Sequence, residues 1–220
     1  GNLYGNNTDF SLVVNVKVLG SLIISGQYFH PGTASIKWDG SQLIGSPIAN
    51  GTGFFNITVA IPITKIGVHN VIIDDTKIKF NFSVNVVPTI VLTPNKGVPC
   101  TSLTVVAEGY GFTASTTTTK YHVNVTWYWI DWSISSTKVL VSKLLVDTNG
   151  YWTFSFTLPH AAGGDNTVVA VENDTADTTV DATFTVLPGI KITPSSFPNN
   201  GTIVTITGCG LKWDWPYDIC

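Results

Sequence analysis

The chain of 220 residues has no arginine and no methionine, and only 11% of its residues carry a charged side chain. A typical soluble domain has about 25%. All of the cations are lysines, and the formal net charge is −3. A nucleic-acid-binding surface needs a basic patch that neutralises phosphates, and no stretch of this sequence supplies one. We therefore expect no nucleic-acid partner.

Long hydrophobic runs are also lacking. No apolar stretch approaches the roughly 20 residues that a membrane-spanning helix needs, so we expect no membrane insertion. A secretory leader has a charged segment followed by an apolar one. The chain starts at Gly1 and shows no such pattern. We interpret it as a secreted, extracellular polypeptide whose signal peptide has already been removed.

The sequence does contain repeated strand patterns. Ser21–Phe29, Leu103–Phe112 and Thr202–Leu211 each read as a short strand that runs into glycine. Ile48–Pro62 and Val146–Pro159 form a second matching pair, in which a glycine-containing turn leads into alternating apolar and polar residues and ends at a proline. This alternation is typical of a half-buried β-strand that follows a hairpin turn.

The repeats predict an all-β fold of tandem immunoglobulin-like β-sandwiches, since no segment has a helical period and β-branched residues, Gly and Pro occur throughout. We predict an N-terminal extension at 1–8, a first sandwich at 9–88, a second at 89–188 and a partial third repeat at 189–220. Two strands cannot bury a face alone. The third repeat therefore packs onto the second domain or onto a neighbouring subunit, or the chain is part of a longer protein.

Several motifs resemble the immunoglobulin-like, IPT/TIG-like repeats of secreted microbial surface proteins. They are TVVAEGYGF at 104–112, TPSSFPNNGTIVTITGCGL at 193–211 and DTNGYWTFSFTLP at 147–159, together with Trp38 and Trp127. The low charge and the Thr/Asn-rich faces are similar to those of surface-layer and thread-pilus subunits of thermoacidophilic archaea. This resemblance implies a structural protein in which a terminal strand of one subunit completes the sheet of the next.

The first strand is the segment that we predict to join subunits. Its apolar residues alternate with polar ones, and they are Phe10, Leu12, Val14, Val16 and Val18. Addition of such a strand to an open sheet would give a homopolymer, either a filament or a surface coat. The alternative is an adhesin or carbohydrate-binding module of a longer secreted protein, with surface glycans as its partner.

Seven asparagines lie in Asn-X-Ser/Thr sequons and predict N-linked glycans. They are Asn6, Asn50, Asn56, Asn81, Asn124, Asn173 and Asn200. The alternative is that the sequons reflect only the abundance of Asn, Ser and Thr. Three of them, Asn56, Asn81 and Asn124, fall on the strand face opposite the apolar residues, so a glycan there would project outward. We therefore favour glycosylation.

The three cysteines permit one disulfide. We predict that it joins Cys209 to Cys220, because the short loop between them can fold back and close the terminal hairpin. The alternatives are three buried thiols, or an intermolecular bridge from Cys100 to one of the other two.

No catalytic, cofactor or metal site is predicted. The histidines lack the spacing of metal ligands or of a catalytic pair, and they are His30, His69, His122 and His160. Acidic residues gather near the end of the second repeat, at Glu172, Asp174, Asp177 and Asp181, without a calcium-binding loop. Asp147 fits a turn better than a metal site. We interpret the aromatic residues off the core face as packing residues, the alternative being a sugar-stacking platform: Tyr128, Trp132, Tyr151, Trp213 and Trp215.

Overall fold

The computed structural model describes residues 14–131, 134–173, 178–196, 201 and 203–212. In these ranges the secondary structure consists of β-strands and one short 3-10 helix, Pro99–Thr101. The predicted all-β fold is confirmed. The chain forms two compact units. Unit 1 holds the described residues up to Thr89 with Tyr110–Ser115 and Asp147–Gly150, and unit 2 holds the remainder.

Nine described strands build unit 1. They are β1 (Val14–Lys17), β2 (Ser21–Gly26), β3 (Gly32–Thr33), β4 (Ser35–Trp38), β5 (Gln42–Gly45), β6 (Ile48–Ala49), β7 (Phe55–Ala60), β8 (Gly67–Asp74) and β9 (Lys79–Val87). One sheet has the order β1-β9-β8-β4-β5, and β2–β7 and β3–β6 form separate pairs. Strand β1 runs parallel to β9, whereas the other pairs are antiparallel. This is the strand order of an immunoglobulin-like sandwich.

The core of unit 1 follows from the period-2 alternation of its strands. Trp38 of β4 is buried on the same face of the sheet as Val71 of β8 and Val84 of β9. Phe55 of β7 is buried as well and meets Phe29 edge to face, with 5.0 Å between the ring centroids. Burial of rings of this size dominates the stability of a small sandwich.

Ten described strands build unit 2, and seven of them, β11 to β17, repeat the arrangement of strands in unit 1. They are β10 (Thr89–Thr93), β11 (Lys96–Gly97), β12 (Thr104–Tyr110), β13 (His122–Asp131), β14 (Ile134–Leu145), β15 (Trp152–Thr157), β16 (Gly164–Glu172), β17 (Thr179–Val186), β18 (Gly189–Thr193) and β19 (Thr205–Cys209). The sheets are β11-β17-β16-β13-β14, β10-β12-β15 and the separate pair β18-β19. Strand β11 is parallel to β17, as β1 is to β9.

Trp127 of β13 occupies the centre of the unit 2 core and is fully buried. Its ring lies 5.4 Å from that of Phe184 and 6.0 Å from that of Phe156, measured between centroids. Trp127 and Trp38 thus occupy equivalent places on β13 and β4. These are the two tryptophans that mark the third strand of each repeat in the sequence.

The partial third repeat belongs to unit 2 and is covalently attached to it. Cys209, the last residue of β19, forms a disulfide with Cys100 in the 3-10 helix, with their Cα atoms 5.8 Å apart. The predicted Cys209–Cys220 bridge is therefore wrong, and Cys220 lies outside the described residues. The prediction considered only loop length, whereas strand pairing places Cys209 opposite Gly189 and next to the turn that holds Cys100.

Candidate functional site

The β18–β19 hairpin presents an apolar face to solvent. Its strands pair antiparallel, with Ile192 opposite Ile206 and Ile190 opposite Gly208, and directly opposed residues share a face. Ile190, Ile192, Val204 and Ile206 are 63%, 47%, 39% and 49% exposed. Contiguous apolar surface of this kind usually marks an interaction site.

The opposite face of the same hairpin is polar apart from Gly189 and Cys209 at one end. It carries a lysine and three threonines, namely Lys191, Thr193, Thr205 and Thr207. The hairpin is therefore amphipathic, as a strand pair is when one face is built to be covered and the other to meet water. An isolated two-stranded sheet is marginally stable, and the Cys100–Cys209 disulfide supplies an anchor that its own pairing does not.

The second repeat shows what the same face looks like when it is covered. There the equivalent positions on β10 and β12 are Ile90, Leu92, Val105 and Ala107, and all four are between 0% and 7% exposed. Their side chains belong to the core between the two sheets of the sandwich. The apolar face of β18–β19 thus has the composition of a core face without the covering layer, among the residues that the structure describes.

The edge of β19 is also open. In the second repeat β12 lies between β10 and β15, so both of its edges are hydrogen-bonded. Strand β19 pairs with β18 alone within the described part of the chain. An unpaired edge offers backbone N–H and C=O groups to an added strand.

A glycine opposite an aromatic residue recurs in both complete repeats. Gly26 of β2 pairs with Phe55 of β7, and Gly109 of β12 pairs with Trp152 of β15. A Cβ atom on either glycine would overlap the ring of its partner. The missing side chain is therefore what lets the ring lie on the core face of the sheet. Gly208 holds the equivalent place on β19.

An open groove of about 550 Å³ adjoins the disulfide. It lies between the 3-10 helix and β18 and is lined by Val98, Cys100–Ser102 and Gly189–Ile192. Part of the exposed apolar face, at Ile190 and Ile192, therefore continues into a concave surface of unit 2.

The predicted joining strand is only partly available for joining. Val16 and Val18 are buried in unit 1, because β1 pairs with β9 and places them in the core of their own domain. The prediction that they fill a neighbour's groove is wrong. Alternation shows that one face of a strand is buried, but it does not show in which molecule. Val14 is 37% exposed, and Phe10 and Leu12 lie outside the described residues.

Four of the sequon asparagines, Asn50, Asn56, Asn81 and Asn173, are exposed. Asn124 is half-buried, and its carboxamide is hydrogen-bonded at both ends. Asn6 and Asn200 lie outside the described residues. Glycosylation at these positions stays a prediction.

Two carboxylate contacts, from Asp39 to His69 and from Asp75 to His30, escaped the sequence reading, because their members are far apart in the chain. His69 Nδ1 lies 2.7 Å from Asp39 Oδ2, and its ring stacks on Trp38. The Asp75 carboxylate accepts three backbone hydrogen bonds, from the N–H groups of His30, Lys77 and Ile78, at 2.9, 2.7 and 2.6 Å. Burial raises the pKa of Asp75, but these hydrogen bonds and the nearby His30 outweigh burial and hold the pKa below its usual 3.8.

The remaining candidate residues are dispersed. The Asp147 carboxylate accepts the N–H of Asn149 at 2.7 Å, as a turn aspartate does. Glu172 is buried and Asp181 exposed, while Asp174 and Asp177 lie outside the described residues. Over the described ranges, no three His, Cys, Asp or Glu side chains gather in a way that could hold a metal ion.

The aromatic candidates do not form one platform either. Tyr128 is exposed, and the hydroxyl of Tyr151 donates a hydrogen bond to Glu108 at 2.8 Å. The other three, Trp132, Trp213 and Trp215, lie outside the described residues.

In the part of the chain that the structure covers, no helix has the length and apolarity to cross a membrane.

No family model matches the sequence, and no curated protein matches it. Solved structures that match the chain include a tetra-tandem repeat from the extending region of a large adhesion protein, at 11% identity and a TM-score of 0.30 over 88% of this chain. The chain spans 55% of the length of that structure. Domains 3 and 4 of rat CD4 match at 13% identity and a TM-score of 0.36, over 80% of this chain and 100% of that one. FdeC, an Escherichia coli adhesin, matches at 15% identity and a TM-score of 0.31, over 80% of this chain and 62% of that one.

Proposed function

We propose that this chain is a structural subunit of an extracellular filament or surface coat, in which immunoglobulin-like units are joined in series by β-strand addition. The observation that carries the proposal is the β18–β19 hairpin, with an apolar face 39% to 63% exposed at four positions and an open edge on β19. Strands added by a partner would pair with the open edge of β19 and would also cover the apolar face of the hairpin. A sheet completed in this way dissociates slowly, which suits a permanent assembly.

A structural role also agrees with the chemistry of the described surface. Three of its carboxylates serve local structure: Asp75 and Asp147 accept backbone hydrogen bonds in turns, and Asp39 bonds the ring of His69. A nucleophile with an adjacent base, which covalent catalysis requires, is not among these contacts. We therefore propose a non-enzymatic protein without a cofactor.

The extracellular location is supported by three features. A disulfide persists in oxidising compartments, and this one fixes β19 to unit 2. Exposed sequons such as Asn56 and Asn81 are accessible to glycan attachment. The share of charged residues is small, 11%, so few surface groups titrate as the pH falls.

A second candidate function is an adhesin-type module of a longer surface protein. It is favoured by the order of the repeats, because β18 and β19 begin a third copy directly after β17, as successive domains on one modular chain would. In that case strands of the same polypeptide would cover the hairpin, and the chain would bind a glycan or another surface without self-assembly.

Experiments on the full-length chain distinguish the filament subunit from the adhesin module. We expect light scattering and electron microscopy to show concentration-dependent polymers for the native protein. Ile206→Lys, on the apolar face, should leave monomers, whereas Thr207→Lys, on the polar face of the same strand, should assemble normally. A native protein that stays monomeric at high concentration would refute the filament and favour the adhesin module.

A further inference from the structure

We infer that the turn at Asn50 and Gly51 is a site of spontaneous deamidation, in which the backbone attacks the side chain, water is the co-reactant and aspartate is a product that the turn accommodates. The inference concerns unit 1 and does not depend on the proposed assembly. A glycan at the predicted sequon of Asn50 would occupy the same Nδ2 atom. The reaction therefore belongs to chains on which Asn50 carries no glycan.

The reaction joins a backbone nitrogen to the carboxamide that precedes it. The Gly51 nitrogen, after losing its proton to water, attacks Cγ of Asn50 and closes a succinimide ring. The Cγ–Nδ2 bond then breaks, and ammonia leaves with a proton from water. A water molecule opens the ring at either carbonyl, which gives aspartate or isoaspartate. Glycine favours the attack because it has no side chain to crowd the ring.

Three donors hold the carboxamide oxygen of Asn50. Its Oδ1 accepts the N–H of Thr52 at 2.9 Å, the hydroxyl of Thr52 at 2.7 Å and the N–H of Phe54 at 3.0 Å. Negative charge develops on this oxygen when a nitrogen attacks Cγ. Donors that already point at the oxygen stabilise that charge, as they do in an oxyanion hole. The turn therefore favours the addition step.

The attacking nitrogen is accessible. Gly51 is exposed, and a Cβ atom built on it meets nothing within 4 Å. Its N–H donates no backbone hydrogen bond to any residue that the structure describes. The nitrogen can therefore lose its proton to water and reach Cγ without breaking a contact of the fold.

The other Asn-Gly pair that the structure describes in full, Asn149–Gly150, has the opposite features. Gly150 is buried, and its N–H donates to the backbone oxygen of Asp147 at 3.3 Å. This hydrogen bond withholds the nitrogen from the side chain of Asn149. The same dipeptide is therefore reactive in the turn of unit 1 and protected in the turn of unit 2.

The turn of unit 2 also shows that a carboxylate fits in the place of the Asn50 carboxamide. Asn50 and Asp147 each accept the N–H of the residue two positions later, at 2.9 and 2.7 Å. The backbone oxygen of each accepts the N–H of the residue three positions later, Gly53 or Gly150. Conversion of Asn50 to aspartate therefore preserves the turn, and the added negative charge strengthens the hydrogen bonds that Oδ1 accepts.

The two Asn-Gly pairs test the inference within one sample. The full-length chain, made without glycans, is incubated near neutral pH, and peptide mass mapping follows deamidation at Asn50 and Asn149. In the native chain Asn50 should react about tenfold faster than Asn149, because the Gly150 amide must first leave its hydrogen bond. In the urea-unfolded chain the two rates should be similar. Equal rates in the native chain would overturn the inference.

Substitutions of Thr52 test the role of the donors. Thr52→Val removes the hydroxyl and keeps the shape of the side chain, so deamidation of Asn50 should slow by about fivefold. Thr52→Ser keeps the hydroxyl and should react at the native rate. A Thr52→Val chain that reacts as fast as the native chain would overturn the role of the turn.

The product is tested by Asn50→Asp. This variant should unfold at the same temperature as the native chain, because its carboxylate takes the place that Asp147 has in unit 2. A lower unfolding temperature would show that the turn does not accommodate the product.

Discussion

Two sequon asparagines hydrogen-bond to each other: Nδ2 of Asn124 donates to Oδ1 of Asn173 at 3.1 Å. Oδ1 of Asn124 in turn accepts the backbone N–H of Lys143, at 2.9 Å, where β14 bulges with a positive φ of 55°. One carboxamide thus ties β13 to β14 and to the end of β16. Asn124 has a structural role that is separate from glycan attachment.

Asn124→Ala in protein made without glycans should lower the free energy of unfolding of unit 2 by about 1 to 2 kcal/mol, because two hydrogen bonds are lost and the N–H of Lys143 loses its partner. Urea unfolding measures this. Asn81→Ala, which removes an exposed sequon of unit 1, is the control and should change little. Equal effects of the two substitutions would show that the Asn124 contacts do not contribute.

Gly26→Ala should destabilise unit 1 by about 1 to 3 kcal/mol, since the new methyl group would overlap the rings of Phe55 and Phe29 in a packed core. Gly51→Ala is the matched control, because a Cβ there meets nothing within 4 Å. Thermal unfolding followed by near-ultraviolet circular dichroism reports on both. A Gly26→Ala variant as stable as the native chain would contradict the proposed reason for the glycine–aromatic pairing that recurs in the two complete repeats.

The lowered pKa of Asp75 makes a prediction about pH. Its ionised carboxylate is favoured in the folded state, so it stabilises unit 1 above its unfolded pKa, and this contribution is lost as the pH falls through the lower, folded value. Asp75→Asn should therefore be less stable than the native chain at pH 7, and the difference should shrink below about pH 4. Denaturant midpoints of the two proteins across this pH range measure the difference. A difference in stability that does not depend on pH would contradict the assigned role of the Asp75 carboxylate.

Loss of the Cys100–Cys209 bridge should loosen the third repeat. The two cysteines are separated by 109 positions in sequence, and loop-closure estimates put the stabilisation from such a cross-link at about 5 kcal/mol. Cys100→Ser should lower the Tm and increase hydrogen exchange in β19, whereas Cys220→Ser should do neither, because Cys209 is already bonded to Cys100. An effect of Cys220→Ser together with no effect of Cys100→Ser would instead support a Cys209–Cys220 disulfide.

The all-β fold can be predicted from local signals, because the strands show alternation of apolar and polar residues and are bounded by turns at glycine and proline. Trp38 and Trp127 could be matched because their strands repeat. The contacts that sequence reasoning missed or mistook are those set by the pairing of distant strands. Cys100 meets Cys209 only through β18 and β19, and His69 meets Asp39 across two neighbouring strands. Val16 was assigned to a neighbour for the same reason, since alternation does not identify the partner sheet.

The central claim, that another copy pairs with the open edge of β19 and covers the apolar face of the β18–β19 hairpin, is tested most directly by hydrogen exchange of the segment 203–209 in the full-length native chain at increasing protein concentration. The account predicts that the amides on the open edge of β19 become protected as concentration rises, while those of β12 stay protected throughout. Exchange in β19 that is the same at every concentration would contradict it.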